Sequence, residues 1–191
     1  MASFDVCIHG SGFVGHSLAL QLARDGLRVA LVELTRPSAA PAGVDVRAFA
    51  LNANAKRLLQ SLNAWDEGAT TTPVQRMQIY GDQGGEFQFQ QPTELAALTW
   101  IVDVPPLASL LAEQVHQESR ITRLTRTETP ASENDLPSAR VHVICEGRHS
   151  ALRAQLQVPV QTMRYPQHAL SARLLCEHPH HHTAHQWFNE K

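Results

Sequence analysis

The feature that most constrains this chain is a glycine pattern near its start, Gly10-Ser11-Gly12-Phe13-Val14-Gly15. It follows an apolar run, Phe4 to His9, and leads into a segment with apolar residues at Phe13, Val14, Leu18, Leu20, Leu22 and Ala23. The run reads as a buried strand. The segment reads as a helix from Phe13 to Arg24, ended by Gly26. Arg28 to Glu33 is a second apolar strand. Strand, helix and strand in so short a length make a βαβ unit with a parallel pair. Gly10 permits the tight turn out of the strand, Gly12 lets backbone approach a pyrophosphate, and Gly15 lets helix and strand pack closely. The helix N-terminus then offers N–H groups and a positive dipole end to phosphates. Glu33 closes the second strand, where its carboxylate can accept hydrogen bonds from ribose hydroxyls. The context predicts a dinucleotide with an unphosphorylated ribose. It leaves FAD and NAD both open, and the competing reading is a glycine-rich turn in some other α/β protein.

Composition narrows the function classes. A formal charge of −2 argues against nucleic acid as the main partner, because phosphate backbones select basic surfaces. No stretch approaches the ~20 apolar residues that span a bilayer. The start, Met1-Ala2-Ser3-Phe4-Asp5, lacks the basic region of a signal peptide. Cys7, Cys145 and Cys176 are far apart and form no CxxC pair, so the expectation is a reducing cytoplasm; two of them sit in apolar, strand-like runs and read as buried structural thiols, with a reactive thiol as the alternative.

Further along, Thr35 to Gly43 is a loop with Pro37 and Pro41, and Asn52 to Leu62 an amphipathic helix. Met77 to Tyr80 and Glu86 to Phe89 flank Gly81-Asp82-Gln83-Gly84-Gly85, a predicted hairpin. Trp100 to Val102 is a short strand, and Pro105-Pro106 opens a helix to about Gln117. Ile121 to Thr127 and Val141 to Cys145 are strands separated by a polar turn, Pro130 to Pro137. A short helix is expected from about Ser150 to Leu156, and one long strand from Tyr165 to Glu177. His178, His180, His181, His182 and His185 could capture Ni²⁺ or Zn²⁺ adventitiously, but Pro179 and the loop around it predict no designed metal site.

Asp5 to Glu33 resembles the opening of the FAD-dependent aromatic-ring monooxygenases, the p-hydroxybenzoate hydroxylase-like family. Other segments are similar to its ubiquinone-biosynthesis branch. Asp45-Val46-Arg47-Ala48-Phe49-Ala50-Leu51 resembles a DxRxxAL segment whose arginine lies beside the flavin. Trp100 to Val104 with Leu107 and Leu111 resembles the strand and helix after the substrate-domain hairpin. Tyr165, Gln167 and Ala169 resemble a YxQxA signature, and Gln186-Trp187-Phe188 a strand ending in phenylalanine. Val143-Ile144-Cys145-Glu146-Gly147, then Ser150 and Arg153, resembles a second fingerprint built on an Asp-Gly pair. Here Glu146 replaces the aspartate, which displaces the carboxylate by about one bond length. As a bare pattern, Glu146-Gly147 is also a simple turn after a strand.

The resemblance implies an α/β fold: a Rossmann-like FAD-binding βαβ domain with part of a β-sheet substrate domain. It allots residues 1–72 and 105–158 to a discontinuous FAD-binding domain, and 73–104 and 159–191 to a partial substrate-side sheet. The implied cofactor residues are Gly10, Ser11, Gly12, Phe13, Val14, Gly15, Glu33, Arg47, Glu146 and Gly147. The implied activity is hydroxylation of an aromatic ring, a ubiquinone precursor, with NAD(P)H as electron donor and O2. The flavin carries that chemistry, so no catalytic side chain is expected. The implied substrate is a small aromatic or polyprenyl phenol. Association with a membrane surface or with other quinone-biosynthesis proteins follows, so the expected place is cytoplasmic and peripheral at the inner membrane. The family's third fingerprint, a Gly-Asp pair, does not occur after residue 150; Gly81-Asp82 lies in the hairpin turn. The chain therefore resembles an N-terminal portion, expected to bind FAD weakly and not to hydroxylate alone. A noncatalytic partner in quinone biosynthesis is the alternative. An NAD-dependent dehydrogenase fits less well, because the segment after Glu33 turns to a long loop where a third Rossmann strand belongs.

Overall fold

Val6, Cys7, Ile8 and His9 are all buried, as in a strand covered on both faces. They belong to β1 (Phe4–His9), which is followed by α1 (Phe13–Arg24) and β2 (Val29–Thr35). The computed structural model describes residues 3–35, 44–68, 70–90, 96–127 and 136–188. Then come β3 (Ala48–Leu51), α2 (Ala53–Ser61), β4 (Thr71–Val74), β5 (Arg76–Tyr80), β6 (Glu86–Gln90) and β7 (Thr99–Asp103). The chain continues through α3 (Val104–Gln117), β8 (Ile121–Thr127), β9 (Ala139–Ile144), α4 (Ala151–Gln155) and β10 (Thr183–Trp187). Most of the loop expected from Thr35 to Gly43 and most of the turn from Pro130 to Pro137 lie outside the described residues.

Contacts divide the chain into two units, Met1–Gly43 with Ala108–Ala169, and Val44–Leu107 with Leu170–Lys191. Packing thus groups residues 44–72 with the second unit, whereas the resemblance allots them to the cofactor-binding part. The two divisions rest on different criteria, contact density and cofactor contact.

The first unit is built on a four-stranded sheet in the order β8-β2-β1-β9. Each neighbouring pair is parallel. α1 packs on β1, β2 and β8, and buries Gly15, His16, Ala19, Leu20 and Ala23. Those positions recur at helical spacing, so one stripe of α1 meets the sheet. The core holds Ile8, Leu20, Val29, Leu31, Leu111 and Val115, all nearly inaccessible. At the end of α1 the positive φ of Gly26, 90°, reverses the chain into β2.

The second unit contains two three-stranded sheets, β3-β7-β4 and β10-β5-β6. In the first, β7 is antiparallel to both neighbours. In the second, β5 and β6 form the expected antiparallel hairpin, and β10 joins β5 in parallel. α2 is capped by Asn52, whose Oδ1 accepts from the Ala55 N–H at 2.9 Å.

One expectation is overturned. Tyr165 to Glu177 forms no strand, and residues 158–180 carry no helix or strand at all. Tyr165, Leu170, Leu174 and Leu175 are strongly exposed. A strand needs a ladder partner, and no described strand pairs with this segment. The Gln186-Trp187 pair does lie in a strand, the end of β10.

Candidate functional site

The glycine loop sits at the C-terminal end of β1, in the crevice where open parallel sheets bind ligands. Its conformation is dictated by crowding. Gly10 has φ 114°, and a Cβ there would lie 2.5 Å from the Cys145 carbonyl oxygen. Its N–H donates to the Val32 carbonyl at 2.9 Å, while the Cys145 N–H donates to the His9 carbonyl at 2.7 Å. The loop is thus pinned between the ends of β2 and β9. A Cβ on Gly15 would fall 1.8 Å from the Gly10 carbonyl oxygen, so the first turn of α1 can approach the loop only as glycine. Gly12 differs. A Cβ there would meet nothing within 4 Å. Packing leaves Gly12 unconstrained, and the open space above it is what a backbone-hugging ligand would fill.

Gly12 is also the N-cap of α1, and no side chain caps the helix. The first turn, Phe13, Val14 and Gly15, carries no acidic residue. The positive end of the helix therefore faces the open space above Gly12 uncompensated. Ser11 and Phe13 are half-buried, and the Val14 side chain is exposed.

Glu33 lies on β2, parallel to β1, and its carboxylate is grasped by Arg123 of β8 in a two-point ion pair. Nε donates to Oε1 at 2.8 Å and Nη2 to Oε2 at 3.1 Å. These hydrogen bonds hold the Glu33 pKa below its ordinary value, so it is charged at neutral pH. Each oxygen keeps acceptor capacity beyond the arginine, which a ribose hydroxyl could use.

Glu146 lies just beyond β9, and its carboxylate is committed to the protein. Oε1 accepts from Arg126 Nη2 at 3.0 Å. Oε2 accepts from Ser150 Oγ at 2.7 Å and from the Leu152 N–H at 3.1 Å. The side chain is 1% exposed. Gly147, φ 75°, turns the chain into a single 3₁₀ turn before α4. Ser150 caps α4, its Oγ accepting from the Arg153 N–H at 3.1 Å. The second fingerprint thus forms a strand, a turn and a capped helix, tied together by one buried carboxylate.

Arg47 belongs to the second unit. Its side chain is exposed and clamped by Asp45, with Nε to Oδ1 at 2.9 Å and Nη2 to Oδ2 at 2.7 Å. That guanidinium holds the Asp45 carboxyl down at about 2. The Arg47 carbonyl accepts from the Val104 N–H at 3.0 Å, tying the loop to the start of α3.

Sequence reasoning missed the two arginines that organise these acids. Arg123 and Arg126 stand three residues apart on β8 with no motif around them. Only the register of β8 against β2 reveals that Arg123 reaches Glu33.

A family model described as an FAD binding domain matches residues 3–190. The chain belongs to the FAD-binding domain family. Among relatives of this FAD-binding domain is the ubiquinone hydroxylase UbiL of Rhodospirillum rubrum, 27% identical over 191 residues, with 92% of this chain and 44% of the relative covered. The 3-demethoxyubiquinol 3-hydroxylase of Escherichia coli is 24% identical, with 91% of this chain and 49% of the relative covered. The chain spans about half the length of the curated relatives it matches. Among solved structures, Pseudomonas aeruginosa PqsL in complex with 2-aminobenzoylacetate superposes with a TM-score of 0.62 at 25% identity, covering 85% of this chain and 48% of PqsL. The p-nitrophenol 4-monooxygenase PnpA of Pseudomonas putida shares the fold, with a TM-score of 0.58 at 16% identity over 82% of this chain and 44% of PnpA. The resemblance to FAD monooxygenases drawn from the glycine motif and the DVRAFAL segment therefore holds. The family decides for FAD between the dinucleotides that the motif left open. No helix among the described residues is long and apolar enough to cross a membrane.

Proposed function

We propose that this chain holds the adenosine and pyrophosphate of FAD within a flavin-dependent hydroxylase acting on the aromatic ring of a ubiquinone precursor, with NAD(P)H as electron donor and O2 as oxygen source. One observation carries the reading. Gly10 and Gly15 are glycine because neighbouring backbone leaves no room for a Cβ, whereas Gly12 faces open space at an uncapped helix end. A pyrophosphate fits such a cradle.

When bound, FAD supplies the redox chemistry, taking electrons from a nicotinamide and activating oxygen. The residues of this chain bind and orient. Gly10 shapes the turn, its own N–H held by the Val32 carbonyl, and the loop and first helical turn from Ser11 and Gly12 to Phe13, Val14 and Gly15 receive the pyrophosphate on backbone N–H groups. Glu33, ionised and held still by Arg123, accepts from the ribose. Glu146 and Gly147 act from behind, fixing Arg126 and the turn after β9. Arg47 contacts the flavin region by exchanging part of its Asp45 clamp for the cofactor. The substrate is a polyprenyl phenol or related small aromatic. So lipid-like a molecule is best met at the inner membrane surface or handed over by another quinone-biosynthesis protein.

The test is a fluorescence titration of the purified chain with FAD and, separately, NAD⁺. FAD saturates and NAD⁺ does not compete. Glu33→Gln weakens FAD about tenfold, the equivalent of one charge-assisted hydrogen bond. Preference for NAD⁺, or an unaltered FAD affinity in Glu33→Gln, would contradict the reading.

A further inference from the structure

Cys7 and His9 stand two residues apart on β1, so their side chains leave the same face of the sheet. His142 on the adjacent parallel strand β9 is in register with Cys7. The three side chains converge. Cys7 Sγ lies 3.4 Å from His9 Nε2, and His9 Nε2 lies 3.0 Å from His142 Nδ1. One donor atom from each of the three falls within 4.8 Å of the others. We propose that Cys7, His9 and His142 form a binding site for a thiophilic divalent cation of the zinc class, directly below the glycine loop.

The distances carry the argument. A tetrahedral ion with zinc–sulfur and zinc–nitrogen bonds of ~2.3 and ~2.0 Å keeps its ligand atoms roughly 3.3–3.6 Å apart. The separations of 3.4 and 3.0 Å are within a few tenths of an ångström of that, before any ion enters. The His9 ring makes its side-chain contacts through Nε2, while Nδ1 is buried without a partner. A single S and two N atoms suit zinc, cobalt or copper rather than calcium or magnesium.

Burial prepares the ligands. His9 is 1% exposed, and desolvation lowers its pKa to about 4, so the imidazole is neutral at pH 7 as a ligand must be. The Cys7 thiol is fully buried, and desolvation raises its pKa to about 11. Without metal it is an inert thiol. Coordination replaces the S–H bond by an S–metal bond and releases the proton to solvent. The positive charge nearby, Arg126, is already neutralised by Glu146 at 3.0 Å.

Access and the fourth ligand come from one side. His142 is exposed. A cavity of about 470 Å³ opens beside it, lined by His9, His142, Ile144, Leu136, Leu152 and Leu156 among others. An ion could enter there, and water could complete its coordination. The site is independent of the FAD reading, since none of its three residues belongs to the glycine motif. It is also separate from the histidine run, where His180 and His182 sit in the exposed turn before β10.

The decisive experiment uses Co²⁺ as probe on chelator-stripped protein in which His178, His180, His181, His182 and His185 are each changed to Gln. That background removes adventitious capture. The expected result is one equivalent of Co²⁺ bound, with a thiolate charge-transfer band in the near ultraviolet, tetrahedral bands in the visible, and displacement by Zn²⁺. Adding His142→Ala should weaken Co²⁺ by at least roughly a hundredfold, the upper range seen for outer-shell partners alone. His142 is exposed, so this variant keeps its fold, which circular dichroism checks. Cys7→Ser should abolish the charge-transfer band while one of the visible transitions shifts. Loss of all Co²⁺ binding in the Gln background, binding without a thiolate band, or binding indifferent to His142→Ala would each overturn the proposal.

Discussion

Glu146 offers the sharpest test of how this fold is held together. Its side chain is 1% exposed and its two oxygens receive three donors. In Glu146→Gln the amide oxygen can still accept from Ser150 and the Leu152 N–H. The amide nitrogen must then face Arg126, whose side chain is only 12% exposed, donor against donor. The charge-assisted bond to Arg126 is worth ~1.5–3 kcal/mol. Removing one partner of a buried ion pair costs ~3–5 kcal/mol, because the other charge stays buried. The expected loss is about 3 kcal/mol, since two of the three bonds survive. For a chain of this size that corresponds to a fall in Tm of roughly 6–12 °C. Glu146→Asp keeps the charge but shortens the arm by ~1.5 Å. It cannot satisfy Arg126 and Ser150 together, and should cost about 1–2 kcal/mol. Urea and thermal unfolding, followed by far-ultraviolet circular dichroism without FAD, measure both. If Glu146→Gln lies within ~0.5 kcal/mol of wild type, the carboxylate is not structurally committed and the reasoning fails.

Gly15→Ala forces a Cβ to 1.8 Å from the Gly10 carbonyl oxygen and should cost about 3 kcal/mol or more in urea unfolding. Gly12→Ala should leave that curve unchanged while weakening FAD, since its Cβ enters only the open space above the loop; equal stability losses in the two variants would refute the division of roles. His16 is buried in α1, and desolvation lowers its pKa below the ordinary 6.5. The unfolded chain therefore binds this proton first, so stability is full above pH 6.5 and declines as pH falls from there to the folded pKa. Urea midpoints at pH 7.5 and 5.5 should show a smaller acid loss in His16→Gln than in wild type.

Much of the first unit was legible in the chain because its signals are local. The bounds of β1 and α1 follow from an apolar run, a glycine and a helical stripe, all within reach of one another. The hairpin of β5 and β6 was equally plain from its glycine-rich turn. The short strands β3 and β4 were not. β4 reads Thr-Thr-Pro-Val, and its proline is tolerated only because β4 is an edge strand, a fact of tertiary pairing. Tyr165 to Glu177 failed for the opposite reason, having alternation but no partner strand. At the candidate site, the glycines and acids announced themselves by spacing. Arg123, Arg126 and His142 did not, because only the register of β8 and β9 against distant strands brings them to Glu33, Glu146 and Cys7.

The two neighbours of β1 arrive from very different distances. Val6 pairs with Val29 on β2 and with Val141 on β9. Closing the longer loop costs about 1.6 kcal/mol more chain entropy than the shorter, on a logarithmic length dependence. The βαβ unit can therefore form early from nearby residues, while β9 docks late. Yet Cys145, at the end of β9, supplies the carbonyl against which Gly10 is pressed. The loop's final shape thus waits on the last strand to arrive. A chain caught before that moment would have its helix and its first parallel pair, and no finished seat for a phosphate.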